Sequence, residues 1–166
     1  MIKRIDSYLL ESGCEIIIHQ VNCSGTMSSG ISKKIKEKYP EVYRQYKNLC
    51  NHYKNNEESL LGKSQFVYAF DPNLNKFICV INLFVQKNFG KDGSLYTNYE
   101  AFNRAMEEIR VEIINGLPAR SLVDIKIGIP YLIGCKKDCA DWVFIDSIID
   151  DHLGFLNVGY YNSDKK

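Results

Sequence analysis

The feature that most constrains the fold of this sequence is an apolar strand that runs directly into a loop of small residues. Residues 15–21 are almost continuously apolar, which is typical of a strand covered on both faces. Residues 22–30 read Asn-Cys-Ser-Gly-Thr-Met-Ser-Ser-Gly, and a helical pattern follows from Ile31. The first N–H groups of a helix have no partners and carry partial positive charge, so a loop of small residues lets an anion approach them. The segment therefore predicts a phosphate-binding loop.

The order of the predicted elements indicates one α/β domain with a mixed central sheet and helices on both faces. Strands are predicted at residues 2–5, 15–21, 65–70, 76–85, 124–130 and 155–161. Helices are predicted at residues 30–39, from Pro40 through Tyr53, from Thr97 to Gly116, and after Asp141. The whole chain, residues 1–166, is expected to form this domain, with a frayed polar tail at residues 162–166.

Several local signals set the expected boundaries of these elements. The turn residues Asp71-Pro72-Asn73 predict an antiparallel hairpin, and residues 55–59 read as a polar loop. Thr97 and Glu100 have the spacing of a capping box, Gly116 and Pro118 are expected to stop the helix that follows, and Asp141 is expected to cap the last helix.

Composition narrows the possible classes of protein. The chain has 166 residues, with 21 Lys plus Arg against 20 Asp plus Glu, and a net charge of +1 argues against binding nucleic acid through bulk charge. No apolar run approaches the roughly 20 residues of a membrane helix, and the first residues lack a signal-peptide core. Six cysteines without a C-x-x-C pair indicate reduced thiols. We therefore expect a cytoplasmic protein that does not bind a membrane and acts as a monomer.

Two loops follow predicted buried strands, at residues 22–30 and 131–140, and are expected to wall one cleft at the carboxyl ends of the strands. Asn22 either closes its own turn or meets a ligand there, and we favour the ligand slightly. His19 is more often a core histidine in such a strand, yet it lies close to the cleft. In the second loop Lys136 and Lys137 can hold a diphosphate, and the Asp138 carboxylate can orient a water or a ribose hydroxyl.

Metal and thiol chemistry have weak support in this sequence. Cys135 and Cys139 have a C-x-x-x-C spacing, which is weak evidence for a zinc site. Cys23 or His19 would have to supply the other ligands, and no second Cys/His pair complements the first. No base is matched to a catalytic thiol. We expect no metal and no cofactor.

Residues 17–25 read Ile-Ile-His-Gln-Val-Asn-Cys-Ser-Gly, followed by Met27, Gly30-Ile31, Lys-Tyr-Pro at residues 38–40, and Tyr43. This run resembles the first ligand loop of the macro domain family. The best match is the branch that contains ADP-ribose 1″-phosphate phosphatases and terminal ADP-ribose glycohydrolases. Further similarities follow in the same order at Leu61-Gly62, Asn82–Phe84 with Gln86, Tyr96–Glu100, and from Ile129-Pro130 through Gly134-Cys135 to Trp142. The resemblance spans most of the chain.

The resemblance implies a three-layer α/β/α fold with ADP-ribose in the cleft. It implies that Asn22 contacts the distal ribose, that Asp6 meets the adenine, and that Asp138 and His19 are catalytic. The glycohydrolase branch also has a lysine nucleophile, and Lys87 fits that position only with a shift. The residues implied to line the ligand are Gly25, Ser28, Ser29, Gly30, Ile31, Gly134, Cys135, Lys136, Lys137 and Cys139.

The sequence departs from the family pattern at two places. Its second loop reads Lys136-Lys137-Asp138-Cys139 where the family is usually glycine-rich, and Ser28 replaces a usual glycine. The first hypothesis is a hydrolase acting at C1″ of the distal ribose, which releases phosphate, an acyl-linked side chain or a nucleobase. The alternative is a module that binds ADP-ribose-type nucleotides without turnover. Nucleic acid enters only as an ADP-ribosylated substrate, because the lysines of residues 33–38 are best interpreted as the solvated side of a helix.

Overall fold

A six-stranded mixed sheet forms the middle layer of the molecule, in the order β1-β6-β5-β2-β4-β3. The computed structural model describes residues 1–90, 92–117 and 121–166. Only β3 is antiparallel to its neighbour, so the other five strands share one direction. The strands are β1 (Lys3–Tyr8), β2 (Ile16–Asn22), β3 (Ser64–Asp71), β4 (Lys76–Gln86), β5 (Ile127–Pro130) and β6 (Val158–Asn162).

Helices cover both faces of this sheet. They are α1 (Gly30–Lys38), α2 (Pro40–His52), α3 (Glu57–Leu60), α4 (Tyr99–Gly116) and α5 (Trp142–Leu153), with a short 3-10 helix at Leu9–Glu11. The alternation of β2 divides the core: Ile16 and Ile18 pack with α4 and α5, whereas Ile17 and Val21 pack with α1 and α2. The predicted three-layer α/β/α arrangement is therefore confirmed, and so is the antiparallel hairpin of β3 and β4.

Element boundaries differ from the prediction where partners decide them. Residues 55–59 were expected to form a loop, but the short helix α3 forms there, because Leu60 at its end is buried in the core. The fifth strand was expected from residue 124 and begins at Ile127, since Ile127 pairs with Ile16 at the start of β2. The sixth begins at Val158 rather than residue 155 for the same reason, because its ladder to β5 starts there.

The cap of α4 is also corrected. Asn98, not Thr97, is the cap residue, and its side chain accepts a hydrogen bond from the Ala101 backbone N–H at 2.8 Å. Gly116 ends the helix as expected, whereas Pro118 lies outside the described residues. Asp141 caps α5 as predicted, accepting from the backbone N–H of Val143.

The C-terminal residues make more contacts than a frayed tail would. The side-chain amide of Asn162 donates to Asp6 at 2.8 Å, and Lys165 and Lys166 form ion pairs with Glu11 and Asp6. These pairs are exposed, so each contributes little stability. Within the described residues, none of the helices has both the length and the apolar character needed to span a bilayer.

Candidate functional site

A cleft of about 570 Å³ opens at the carboxyl ends of the parallel strands, a size that suits a small-molecule ligand. The loops after β2 and β5 form its two main walls, as predicted for a parallel sheet. Strand ends, the loop after β4 and the C-terminal segment complete it. The lining residues used below are Gln20, Asn22, Ser28, Ser29, Gly30, Ile31, Ser32, Gln86, Phe89, Gly134, Lys136, Lys137, Asp138, Ser163 and Asp164.

The first loop is organised by the side chain of Asn22. Its Oδ1 accepts hydrogen bonds from the Ser24 backbone N–H at 3.0 Å and from the Tyr46 hydroxyl at 2.7 Å. Its Nδ2 donates to the Thr26 carbonyl at 2.9 Å. Asn22 is only 6% exposed, so its amide mainly closes the loop in which it lies. The interpretation of Asn22 as a turn-closing residue therefore has direct geometric support, while its contact with a ribose stays a prediction.

The start of α1 borders the same cleft. Ser28, Ser29, Gly30 and Ile31 all line it, as the sequence predicts for an anion site. Ser29 is the cap residue, with extended backbone, but its side chain makes no capping hydrogen bond. Gly30 adopts a φ of +60°, which favours glycine and turns the chain into the helix. No side chain caps the backbone N–H groups at this helix start, and the residues that carry them border the cavity, as an anion site requires.

The second loop is held by residues from other parts of the chain. The Thr97 hydroxyl donates to the Gly134 carbonyl at 3.2 Å, and the Tyr96 N–H donates to the Asp138 carbonyl at 3.0 Å. Leu132 and Cys139 both have positive φ values, which is uncommon for residues with a side chain. Lys136, Lys137 and Asp138 line the cleft, whereas Cys135 and Cys139, both implied as ligand contacts, do not.

Asp138 lies at the centre of a polar cluster. Its Oδ2 accepts a hydrogen bond from the Gln20 side-chain amide at 3.1 Å. Burial raises the pKa of the Asp138 carboxyl above its ordinary value, while Lys137 and a hydrogen bond with Gln86 oppose that rise. A half-buried carboxylate with a raised pKa at a cleft is the environment expected of a general acid or base.

His19 is enclosed and does not line the cleft. Its Nε2 pairs with Asn82 Oδ1 at 2.6 Å, and its Nδ1 pairs with the Ser32 hydroxyl at 3.1 Å. Burial lowers the pKa of His19 to about 4, so the imidazole is neutral near pH 7. Ser32 lines the cleft, so its hydroxyl connects the enclosed His19 to the cleft wall.

Other implied site residues lie outside the cleft lining. Asp6 binds Asn162 and Lys166, and the Gly25 carbonyl lies 3.4 Å from Lys47 Nζ. Lys87, the uncertain nucleophile, forms an ion pair with Glu58 at 2.8 Å, which raises the pKa of the lysine. The structure therefore places none of these three groups on the cleft wall.

The cleft also contains residues that sequence reasoning missed. Gln20 interrupts an apolar strand, and this polar residue two positions before Asn22 was a signal that could have identified it. Ser163 and Asp164 come from the segment predicted to fray, and they reach the cleft because Lys34 binds the Ser163 carbonyl at 3.0 Å and the Asp164 carboxylate. No sequence signal pointed to Phe89, which lines the mouth and is 52% exposed.

Two further sequence hypotheses can be compared with the described residues. Among them, no three His, Cys, Asp or Glu side chains cluster as metal ligands would. The basic face of α1 is only partly open to a partner: Lys34 binds Asp164, Lys36 lies over the Tyr43 ring, and Lys38 binds Asp71 at 3.3 Å.

Comparison of the sequence with known proteins finds two kinds of relative. No family model matches the chain. It is 31% identical over 71 residues to an ADP-ribose 1″-phosphate phosphatase of Saccharomyces cerevisiae, an alignment covering 43% of the chain and 38% of the relative. It is 38% identical over 42 residues to a DNA ADP-ribosyl glycohydrolase of Mycobacterium tuberculosis, covering 25% of the chain and 12% of the relative. The matches thus span less than half of either relative.

Solved structures match over almost the whole chain. The macrodomain of Mycobacterium tuberculosis DarG superposes with a TM-score of 0.75 at 20% identity, covering 99% of both chains. Thermosipho africanus DarTG, solved in complex with ADP-ribose, superposes with a TM-score of 0.73 at 15% identity, covering 99% of this chain and 44% of that one. The expected fold is confirmed, because the chain has the same fold as these macrodomains over almost its whole length.

Proposed function

We propose that the chain is a hydrolase that binds an ADP-ribose derivative in this cleft and cleaves the bond at C1″ of its distal ribose. The observation that carries the proposal is that one cavity holds both an uncapped helix start and a half-buried carboxylate, Asp138. The first suits a diphosphate and the second suits proton transfer. The activities of the sequence relatives, an ADP-ribose 1″-phosphate phosphatase and a DNA ADP-ribosyl glycohydrolase, support the same class of reaction.

The two walls of the cleft would share the diphosphate. Backbone N–H groups at the start of α1 face it from one side, and Lys136 and Lys137 line the other. Charged lysines compensate for a second loop that carries side chains where the family usually has glycines, because they reach a phosphate without close approach of the backbone. The ligand would then lie across the strand ends, with its distal ribose beside Asn22 and Asp138.

Asp138 would act as the general base toward a water molecule. The water oxygen forms a bond to C1″ while the bond from C1″ to the leaving group breaks, and the leaving group keeps the electron pair. The proton of the water passes to the Asp138 carboxylate. The raised pKa of this carboxyl makes it a better proton acceptor than a fully solvated aspartate.

Turnover assays test this proposal. We expect release of phosphate from ADP-ribose 1″-phosphate, or of ADP-ribose from glutamate-modified protein or base-modified DNA. Asp138→Asn should lower kcat by about 10²- to 10⁴-fold and leave ADP-ribose binding intact, since it keeps the shape but removes the base. The matched control is Asp151→Asn, on the exposed face of α5. Turnover of none of the three substrates by folded protein would refute the hydrolase.

A second function is favoured by the positions of two residues. His19 is enclosed and Lys87 is paired with Glu58, so two of the three catalytic candidates do not face the cavity. A module that only binds ADP-ribose-type nucleotides would show binding by calorimetry, no turnover, and unchanged affinity in Asp138→Ala. Loss of turnover with binding retained in that variant would exclude it.

A further inference from the structure

Gln20 is a polar residue that lines the cleft and that the proposed chemistry does not use. Its side-chain Nε2 faces three acceptors: Thr97 Oγ1 at 2.9 Å, Asp138 Oδ2 at 3.1 Å, and Gln86 Oε1 in a short contact. These acceptors belong to three separate parts of the chain. One amide from β2 therefore joins the start of α4, the loop after β5 and the end of β4.

The second loop is packed directly onto this amide. A Cβ atom placed on Gly134 would lie 2.8 Å from Gln20 Oε1 and 2.9 Å from Thr97 Oγ1, which is too close for either. Among the described residues, Gln20 Oε1 is buried without a hydrogen-bond partner. The second loop thus covers Oε1 of the Gln20 amide at Gly134, while Nε2 of the same amide donates to the Asp138 carboxylate of that loop.

The contact continues to the mouth of the cleft. Gln86, which meets Gln20, donates its own Nε2 to the Asn88 carbonyl at 3.1 Å. Asn88 directly precedes Phe89, whose side chain lines the mouth. The position of the carboxylate and the path of the loop after β4 are therefore connected through two glutamines.

We propose that Gln20 is a positioning residue, whose amide holds the Asp138 carboxylate toward the cleft and in its ionised form. The expected effect on turnover rests on the hydrolase proposed above, whereas the expected effect on the ionisation of Asp138 does not. The charge environment makes it testable. Asp138 faces Gln20 from β2, Gln86 from β4, and Lys137 and the Cys135 thiol from its own loop, and Lys137 is the cation acting on its pKa.

Substitutions of Gln20 should shift the pKa of Asp138 in a definite direction, which loss of a merely structural residue would not do. Gln20→Met removes the donor to the carboxylate, so the pKa of Asp138 should rise. Gln20→Glu removes the donor and adds a like charge, so the pKa should rise further. Since the base works when ionised, the acid limb of the kcat profile should move to higher pH in the same order. At neutral pH kcat should fall by about 10²-fold for a displaced carboxylate, with KM little changed.

The direct measurement is the NMR titration of the Asp138 side-chain carboxyl in the ligand-free protein, assigned with Asp138→Asn. It needs no turnover, so it tests the positioning role even if the hydrolase proposal fails. Gln45→Glu, on α2, is the matched control and should leave the titration unchanged. Gln20→Asn retains an amide in a shorter side chain and serves if either larger change prevents folding, which circular dichroism would reveal.

The outcomes separate cleanly. An Asp138 pKa that is the same in wild type, Gln20→Met and Gln20→Glu would overturn the positioning role. A shifted pKa in a protein without turnover would support the positioning role and reject the hydrolase. A shifted pKa together with a shifted acid limb of kcat would support both.

Discussion

The two walls of the cleft are built in different ways. The loop after β2 is organised mainly from within, because Asn22 bonds Ser24 and Thr26 only a few residues away, with a further hydrogen bond from the Tyr46 hydroxyl of α2. The loop after β5 is organised from outside, by Gln20, Tyr96 and Thr97. The comparison extends to the strand beneath: His19 reaches Ser32 of α1 on one face, and Gln20 reaches Asp138 on the other. A locally bonded loop can be recognised in a sequence, whereas a loop held by distant residues cannot.

The largest expected effect concerns His19, beneath the first wall. Its pKa is lowered to about 4 in the folded protein, against an ordinary value near 6.5, so unfolding takes up a proton below pH 6.5. The stabilisation is present above pH 6.5 and is lost as the pH falls toward 4, a loss of about 3 kcal/mol. Urea unfolding of wild type and His19→Gln across this range measures it.

The difference between the two proteins should shrink as the pH falls, because only wild type carries the buried imidazole. His52→Gln, at the exposed end of α2, is the control and should follow wild type. A wild-type unfolding curve with the same pH dependence as His19→Gln would show that His19 is not the group responsible.

The next prediction concerns Asn22, which organises the loop after β2. Asn22→Ala removes the acceptor of the Ser24 N–H and the Tyr46 hydroxyl, and leaving such buried groups unpaired costs about 1–3 kcal/mol. We expect a lower free energy of unfolding and weaker ADP-ribose binding, measured by urea denaturation and calorimetry. Asn48→Ala, on the exposed side of α2, is the matched control. Unchanged stability with weakened binding would instead indicate that Asn22 serves the ligand alone.

The last prediction concerns Gly134 in the other wall, and the smallest loss of stability is expected in its control, Gly93→Ala. Gly134→Ala carries the left-handed backbone cost of about 1–2 kcal/mol and adds a contact against Gln20 and Thr97. Gly93→Ala is a close control, because its φ is +80° and nothing lies within 4 Å of the added methyl group. We expect a larger loss of stability in Gly134→Ala, because only its methyl group meets other atoms closely, and lower turnover only in that variant. Equal turnover in the two variants would argue that the Gly134 contact does not position Asp138.

Much of the fold followed from local patterns. The buried strand β2, the hairpin at residues 71–73 and the cap at Asp141 depend on near neighbours in the chain, and all three were predicted correctly. Boundaries were missed where a partner strand sets them, as at Ile127, or where a second residue competes for a cap, as at Asn98. The candidate site divides in the same way. Residues 28–31 were predicted to line the cleft and do, while Gln20, Ser163 and Asp164 were missed.

The sequence by itself determined the order of strands and helices, and with it the place of the cleft at the strand ends. It also indicated the first loop, since an amide, two glycines and small side chains fall within nine residues. Tertiary structure alone decided which polar groups face the cleft and which are enclosed. His19 and Gln20 are adjacent in the chain, yet alternation along β2 buries one under α1 and sets the other beneath Asp138. The protonation of a carboxylate or an imidazole depends on such surroundings, because burial and hydrogen-bond partners act on its pKa together with nearby charges such as Lys137.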